Sequence, residues 1–398
     1  WVGTRLGLDR LDPGSTQFVH YFFATLTTPD TIHGLDYDIA ESKNGDLWFA
    51  TSNGLDRLNV LQNTFTHYGY DENDPGGISS SEITKVYFDR DGTLWVGTFY
   101  GGLDRYDPAG NRFLHYRNDP DNEQSLSNNS ILSVYQDQKG KIWVGTDGGG
   151  LNLLNEVDGS FTIYSEEDGL ASNVVYGILE DTLGNLWLST NNGLSRFNPE
   201  TGEFKNYSES DGLQGNEFNM NAYAQDEAGT MYFGGINGLT SFDPLKITVN
   251  PYVPPVMLLS VTQNGKEITP ELNTDGQEQI VLRWPQNSFE FEFAALSYVD
   301  PKKNKHSYKL EDFDQDWIDA GSWREGRYTN LPGGTYNLRI KGSNEDGVWN
   351  ESSQPLVVKV IPAFWQTLWV QISAVLLVFG LVFTIYSLRN ASVKANAR

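Results

Sequence analysis

The chain has 398 residues, room for roughly two or three domains, and no cysteine, which excludes disulfides, thiolate metal sites and cysteine nucleophiles. Its 28 Lys plus Arg face 52 Asp plus Glu; the resulting net charge of -24 repels nucleic acid and anionic membrane surface, so neither is an expected partner of the soluble part. Aromatic residues at 13% and 40 glycines, without a long helical pattern before the C-terminal segment, give a β-rich profile.

The first two-thirds of the chain repeats itself. A strand built on Trp1-Val2-Gly3-Thr4 returns at Trp48, Trp95, Trp143 and Trp187 and, with Tyr for Trp, at Tyr232, at intervals of 47, 47, 48, 44 and 45 residues. A period in the forties with four short strands per unit is the signature of a β-propeller blade. Each unit opens on an alternating strand such as Ile83 to Asp89 and turns through Asp89-x-x-Gly92, which recurs as Asp137-x-x-Gly140, Asp181-x-x-Gly184 and Asp226-x-x-Gly229, with Ser42-x-x-Gly45 as a variant. Asp starts such turns and Gly takes the positive-φ position. The Trp strand follows, then a Gly-rich turn, then a last strand ending Phe-x-x-Tyr, as in Phe113 to Tyr116. The expectation is five full blades and one lacking its first strand, with Trp48, Trp95, Trp143 and Trp187 packing blade against blade. Because the chain opens inside a unit, further blades are expected upstream.

His20, His67 and His115 each precede the Tyr of a fourth strand, where later blades carry Ile163 and Asn206, so they read as a recurrent surface position and not as a metal cluster. The acidic stretches Asp71 to Gly77 and Asn118 to Ser125 lack calcium-loop spacing and read as surface loops. In a four-stranded blade the turn between the second and third strands emerges on the same face as the blade-to-blade loops, and the Asp-x-x-Gly turns on the other. The first face carries the longer polar and aromatic loops, where binding is expected. Its candidate ligand residues are Phe99, Tyr100, Asn129, Asp147, Asn173, Asn191, Asn192 and Asn219, aromatics and amides suited to a neutral oligosaccharide. For Asn129 and Asn173, at equivalent repeat positions, turn capping is the competing role.

Past Pro244 the vocabulary changes. A Pro-rich junction, Asn250 to Leu259, precedes strands of sandwich character such as Phe289-x-Phe291-x-Phe293 and Thr335 to Asn344. Tyr336 is placed as a tyrosine corner, its hydroxyl bonded to backbone near Leu331. Trp317, Trp323 and Trp349 are read as core and rim packing, and His306 as a residue of a Lys-rich loop.

The blades resemble two-component-regulator propeller repeats. "YKLEDFDQDW", "RYTNLPGGTY" and "SNEDGVWN" resemble the three-tyrosine domain that follows them, with Tyr308, Tyr328 and Tyr336 as its named tyrosines. The resemblance covers essentially the whole chain and implies the extracytoplasmic sensor of a two-component system, as in hybrid sensor histidine kinases. It divides the chain into blades over 1-250, a fibronectin- or immunoglobulin-like sandwich over 251-361, a membrane helix over 362-388 and a cytoplasmic stub over 389-398.

From Phe364 to Leu388 no residue is charged, and Trp365, Trp369 and Tyr386 suit the two interfaces of a bilayer. Arg389, Lys394 and Arg398 follow, so the positive-inside rule puts the C-terminus in the cytoplasm and the β domains in the periplasm of a Gram-negative cell. The last strand, "PLVVKVIP", enters the helix with almost no linker, which favours signalling over simple anchoring. No G-x-S-x-G elbow, H-E-x-x-H motif or phosphate-cradling glycine loop occurs. The chain is therefore expected to have no cofactor, no metal and no catalysis of its own, with any kinase activity belonging to the intact protein. The expected function is that of a dimeric sensor of an oligosaccharide or other small extracellular ligand at the inner membrane. The alternatives are a membrane-anchored propeller enzyme acting on polysaccharide, and the same sensor with a non-kinase output.

Overall fold

The computed structural model describes residues 2–4, 7–22 and 35–396. They form two compact units, Trp1–Ile247 and Thr248–Arg398. The first is a succession of small antiparallel sheets in chain order, each a four-strand meander where complete. Blade 2 runs Leu35–Glu41, Leu47–Thr51, Gly54–Asn59, Thr64–Tyr68; blade 3 runs Ile83–Phe88, Leu94–Thr98, Leu103–Asp107, Arg112–Tyr116. Blade 4 runs Ile131–Gln136, Ile142–Thr146, Leu151–Leu154, Phe161–Tyr164; blade 5 runs Val175–Glu180, Leu186–Thr190, Gly193–Asn198, Glu203–Tyr207. Blade 1 has three described strands, Val2–Thr4, Gly7–Leu11 and Phe18–Phe22, and so does blade 6, Phe218–Gln225, Met231–Gly235 and Gly238–Phe242.

The expectation of five full blades therefore needs correcting: among the described residues four sheets have all four strands, and blade 6 lacks its outermost one. The reason is local. After Phe242 the chain meets Asp243-Pro244, where Asp243 caps a single 3-10 turn over Pro244–Lys246 and ends the sheet.

The recurring turn and the recurring Trp are one device. In blade 4 the Asp137 carboxylate accepts the backbone N–H groups of Lys139 (3.0 Å) and Lys141 (2.9 Å) and the indole N–H of Trp143 (2.9 Å). Asp89 holds Trp95 at 3.0 Å and Asp181 holds Trp187 at 3.0 Å in the same way, and Asp226 takes the Tyr232 hydroxyl at 3.0 Å. Trp95, Trp143 and Trp187 are fully buried. The Asp six residues before the Trp thus closes its turn with one oxygen and orients the blade-packing ring with the other. Asp137→Ala leaves these donors without acceptors in a buried place. It is expected to cost about 2–4 kcal/mol, read as a lowered denaturation midpoint at unchanged m-value.

A glycine is required where the third strand begins. At Gly150, φ is +78° and a Cβ would lie 2.2 Å from the Tyr164 carbonyl oxygen, so neither the backbone conformation nor the space admits a side chain.

The first strands of successive blades line the axis. Ser133 of blade 4 donates to the Val175 carbonyl of blade 5 at 3.2 Å, and the Val86 N–H of blade 3 reaches Asp38 of blade 2 at 3.1 Å. Lys85 spans the axis, its ammonium 3.1 Å from the Asp38 carboxylate, 3.1 Å from Asn221 Oδ1 and 5.1 Å from the Tyr223 ring centre. The Tyr223 ring in turn occupies the room left by Gly177, where a Cβ would meet it at 2.3 Å.

His67 and His115 are more than surface residues. His67 Nδ1 lies 2.6 Å from Asp56 and His115 Nδ1 lies 2.7 Å from Asp104, both carboxylates being buried. Blade 5 replaces the pair with Ser195 and Asn206 at 2.7 Å. His20 stands opposite Asp9 in register, but its side chain lies outside the described residues. The Asp104 hydrogen bond raises the pKa of His115 above the ordinary 6.5 against the opposing effect of burial. The stability this pair adds is full below the unfolded-state value and is lost as pH rises through the folded one.

In the second unit two sheets face each other across a core that includes Phe289, Phe291, Phe293, Tyr328, Leu338 and Val358. One sheet holds Val256–Gln263 between Lys266–Glu267 and Phe289–Ala295, with Glu325–Tyr328 at its far edge. The other is centred on Leu356–Ile361, which pairs in parallel with Glu278–Arg283 and antiparallel with Gly334–Ser343. The Tyr336 hydroxyl donates to the Pro332 carbonyl at 3.1 Å, one residue from the expected position of the tyrosine corner. Tyr328 donates to Asp314, and Tyr308 meets the Phe291 and Tyr328 rings edge-on at 5.2 and 5.8 Å.

Two readings change here. Trp323 is 75% exposed, and Trp317 and Trp349 share the Lys341 ammonium at 4.3 and 5.2 Å, so none of these tryptophans fills the core. His306 is no loop residue: it opens the strand His306–Glu311, is fully buried, and accepts the Ala295 N–H at 3.3 Å. Burial lowers its pKa from the ordinary 6.5. A histidine buried neutral costs stability as pH falls through the unfolded-state value, the opposite sign to His115. Acidification from about pH 7 to pH 5.5 is expected to lower the melting temperature of the sandwich unit, and His306→Asn to flatten that dependence, as followed by scanning calorimetry.

Candidate ligand face and membrane junction

At one end of the blades, the turns between second and third strands interlock with the loops that enter the first strands. The Phe99 N–H donates to the Glu82 carbonyl (2.9 Å), and the Asp147 N–H to that of Ser130 (2.9 Å). Gly148 and Gly150 N–H groups converge on the Asn173 carbonyl at 3.1 and 2.8 Å, and Asp147 bridges to Val174. Asn192 reaches the Ala171 carbonyl at 3.2 Å. Phe99, Tyr100, Asp147, Asn173, Asn191 and Asn192 therefore belong to one end of neighbouring blades.

Within this group the structure separates two kinds of residue. Tyr100 is 78% exposed, takes a positive φ of 68° and leans on Phe99 at 5.9 Å, so it projects an aromatic face outward. Asp147, Asn191 and Asn219 are exposed as well. Asn129 and Asn173 are engaged in capping: Asn129 Oδ1 accepts the Asn118 N–H at 2.7 Å and Asn173 Oδ1 the Glu166 N–H at 2.8 Å. Asn216, which sequence reasoning passed over, does the same for Glu209 at 2.8 Å. The signal was present in the repeat, since all three stand two residues before a first strand. Tyr176 also belongs at this end: its pKa is raised by burial and then by the nearby Asp147 and Glu217 carboxylates.

The acidic loops use their oxygens internally. Asp71 accepts the Asn73 N–H at 2.9 Å and Asp74 the Gly76 N–H at 3.0 Å, the geometry of Asx turns. Among the described residues no group of three or more His, Asp or Glu side chains could hold a metal ion.

The second site is where the sandwich becomes a helix. Strand Leu356–Ile361 is followed by Pro362, Ala363, a 3-10 turn over Phe364–Gln366 and a helix over Leu368–Asn396. The helix thus begins at Leu368, past Phe364, because Thr367 closes the 3-10 turn onto the Phe364 carbonyl at 3.2 Å before the α-helical bonds start. The junction is packed. The Trp284 N–H donates to the Ile361 carbonyl at 3.1 Å, and the Trp284 and Trp365 rings meet edge-to-face at 4.6 Å. Phe364 lies 5.0 Å from Trp365, and Pro362 sits where a Cβ on Gly333 would come within 2.7 Å of it. Residues Leu368–Asn390, a stretch of 23, are long and apolar enough to cross a bilayer and are not buried by the rest of the chain.

With this geometry in view, comparison with known proteins is specific. The Two component regulator propeller family matches residues 77–100, 125–148 and 169–192, and the Y_Y_Y domain matches residues 297–360. Histidine kinase P4 of Formosa agariphila is 31% identical over 211 residues, 51% of this chain and 15% of that protein. The extracellular domain of the hybrid two component system BT3049 from B. thetaiotaomicron superposes with a TM-score of 0.72 at 24% identity, over 91% of this chain and 48% of that one. The extracellular domain of BT4673 from the same organism covers 92% of this chain and 67% of its own at 20% identity, with a TM-score of 0.44. The chain thus spans about half or less of the first two relatives. It carries matches to the two-component-regulator propeller repeats and to the Y_Y_Y domain, and it shares the fold of the BT3049 extracellular domain.

Proposed function

We propose that this chain is the ligand-sensing and signal-transmitting region of a two-component sensor kinase. The propeller and sandwich lie in the periplasm, one helix crosses the inner membrane and the C-terminus is cytoplasmic. The ligand is an oligosaccharide held at the blade end that carries Phe99, Tyr100, Asp147, Asn191 and Asn192, where an outward aromatic face stands near amide and carboxylate groups. Two protomers pair, and a ligand-dependent change in their packing passes through the sandwiches to the paired helices.

The observation that carries this reading is the junction. Between strand Leu356–Ile361 and helix Leu368–Asn396 every residue is turned, capped or wedged, with Trp365 held against Trp284. A body joined to its membrane helix without slack can transmit a displacement, whereas a tether meant only for anchoring has no need of such packing.

The absence of cysteine makes the test direct. Single cysteines placed along the helix, for example Leu377→Cys, report helix pairing by disulfide formation in membranes. A proven oligosaccharide ligand is expected to change the crosslinking rate; an unchanged rate at saturation contradicts the proposal. Incubating the same protein with an oligosaccharide panel separates a sensor from an enzyme, because product formation would establish the latter.

A further inference from the structure

The blade end opposite the proposed ligand face holds a cleft of about 850 Å³ between blades 2 and 3, lined by Ser42, Lys43, Trp48, Arg57, Phe88 and Tyr106 among others. Beside this cleft, blade 2 lacks a large side chain that the following blades supply. Opposite each blade Trp, on the neighbouring first strand, stand Tyr87 (facing Trp95), Tyr135 (facing Trp143) and Leu179 (facing Trp187), whereas Ala40 faces Trp48. The Tyr87 hydroxyl accepts the Gln136 N–H at 3.0 Å and the Tyr135 hydroxyl meets Glu180 at 3.4 Å, so each tyrosine wedges its blade against the next. Blade 2 has no such wedge.

The second missing group is the turn carboxylate. Ser42 stands where Asp89, Asp137 and Asp181 bind their tryptophans, and its hydroxyl turns instead to the Asp46 carbonyl at 2.9 Å. Trp48 is only 4% exposed, yet its indole N–H has no hydrogen-bond partner among the described residues, whereas its three counterparts are all bound to carboxylate. Trp48 lines the cleft, so its N–H is open to an acceptor that enters there. Three cations line the place, Arg57, 5.4 Å over the Trp48 ring and bonded to Asp46, Lys43, whose ammonium is held by the Arg90 carbonyl, and Arg105, and three carboxylates, Asp46, Asp91 and Asp107, line it with them.

We infer that this cleft binds a small phenolic acid, whose ring takes the room that Tyr87 and Tyr135 fill in the sister blades and whose carboxylate takes the Trp48 N–H in place of the absent Asp. Blades 3 and 4 hold the same two pieces, a phenol ring and a carboxylate, covalently. The site is separate from the oligosaccharide face and stands or falls independently of it.

The test uses the full chain in lipid nanodiscs, with 4-hydroxybenzoate as probe and phenol and benzoate as partial probes, read by titration calorimetry. The probe is expected to bind. Trp48→Phe, which keeps the ring and deletes the N–H, should weaken binding about tenfold, the equivalent of roughly 1.4 kcal/mol for one hydrogen bond to a charged group. Ala40→Tyr combined with Ser42→Asp supplies both missing groups from the protein itself; it should abolish binding and raise the melting temperature. The inference is overturned if none of the three compounds binds at millimolar concentration, or if the Trp48→Phe or filled variant binds 4-hydroxybenzoate as the parent does. Phenol binding as tightly as 4-hydroxybenzoate would equally overturn it, since the carboxylate would then contribute nothing.

Discussion

Replacing Lys85 with alanine is expected to destabilise the propeller unit by about 3–5 kcal/mol, the range for removing one partner of a buried ion pair. The side chain is 11% exposed and its Asp38 partner 16%. Burial alone would pull the lysine pKa down, but the Tyr223 and Asp38 interactions more than reverse this, so the ammonium stays charged. Without it the Asp38 carboxylate keeps, among the described residues, only the Val86 N–H at 3.1 Å and loses its counter-charge. Tyr223 of blade 6 loses the ammonium beside its ring, and Asn221 loses one of its two bonds to blade 3, keeping the one it donates to the Thr84 carbonyl at 3.2 Å. Urea denaturation would show the loss as a shifted midpoint. The double variant Lys85→Met with Asp38→Leu should recover most of it, because an apolar pair removes the orphaned charge together with its partner. Arg339 is the control: it bridges Glu311 at 2.8 Å and Glu351 at 2.5 Å but is 38% exposed, and Arg339→Ala should cost no more than about 1 kcal/mol.

The second large effect is expected at the junction. On the sensor reading proposed above, inserting Gly-Ser-Gly-Ser between Ala363 and Phe364 in the membrane-embedded full-length protein should abolish ligand-dependent change in helix crosslinking while leaving ligand affinity intact. The insert separates Trp365 from Trp284, a contact made at 4.6 Å, and gives the helix freedom that the Pro362 wedge and the Thr367 turn now deny it. Trp284→Ala should weaken the response without abolishing it, since the backbone path from Ile361 to Leu368 remains continuous. A ligand response that survives the insertion would mean that the signal passes by some route other than this segment.

Much of this architecture is legible in the sequence because it is repeated. One Trp-x-Gly-Thr strand is weak evidence, whereas its return at near-constant spacing fixes the blade, its turn and its packing ring together. The order of blades, sandwich and apolar helix was readable for the same reason, as was the Tyr336 corner, whose Pro-Gly-Gly-Thr-Tyr setting is local. What escaped was pairwise and non-local. The Asp-to-Trp bond is visible only as a constant offset of six, and the bonds of His67 and His115 to buried carboxylates, like the burial of His306, depend on what faces them across a sheet. Blade 6 reads as complete in the sequence because nothing in its first three strands announces that Asp243-Pro244 will end it. The candidate face divides along the same line. Asn129 and Asn173 carry the repeat position that caps a turn, while Phe99 and Tyr100 break the pattern set by Asp147 and Asn191, and departures from a repeat are where individual blades become different.

The place of strand Leu356–Ile361 within its sheet sets how much load the helix can exert on the sandwich. This strand is an interior one, bonded in parallel to Glu278–Arg283 on one side and antiparallel to Gly334–Ser343 on the other. A pull along the helix therefore runs along the strand and strains both ladders of hydrogen bonds in shear, so that they would have to fail together and not one after another as in an unzipping hairpin. The sandwich is consequently stiff toward the membrane, and a piston-like or tilting displacement would reach the lipid before it could tear the strand away.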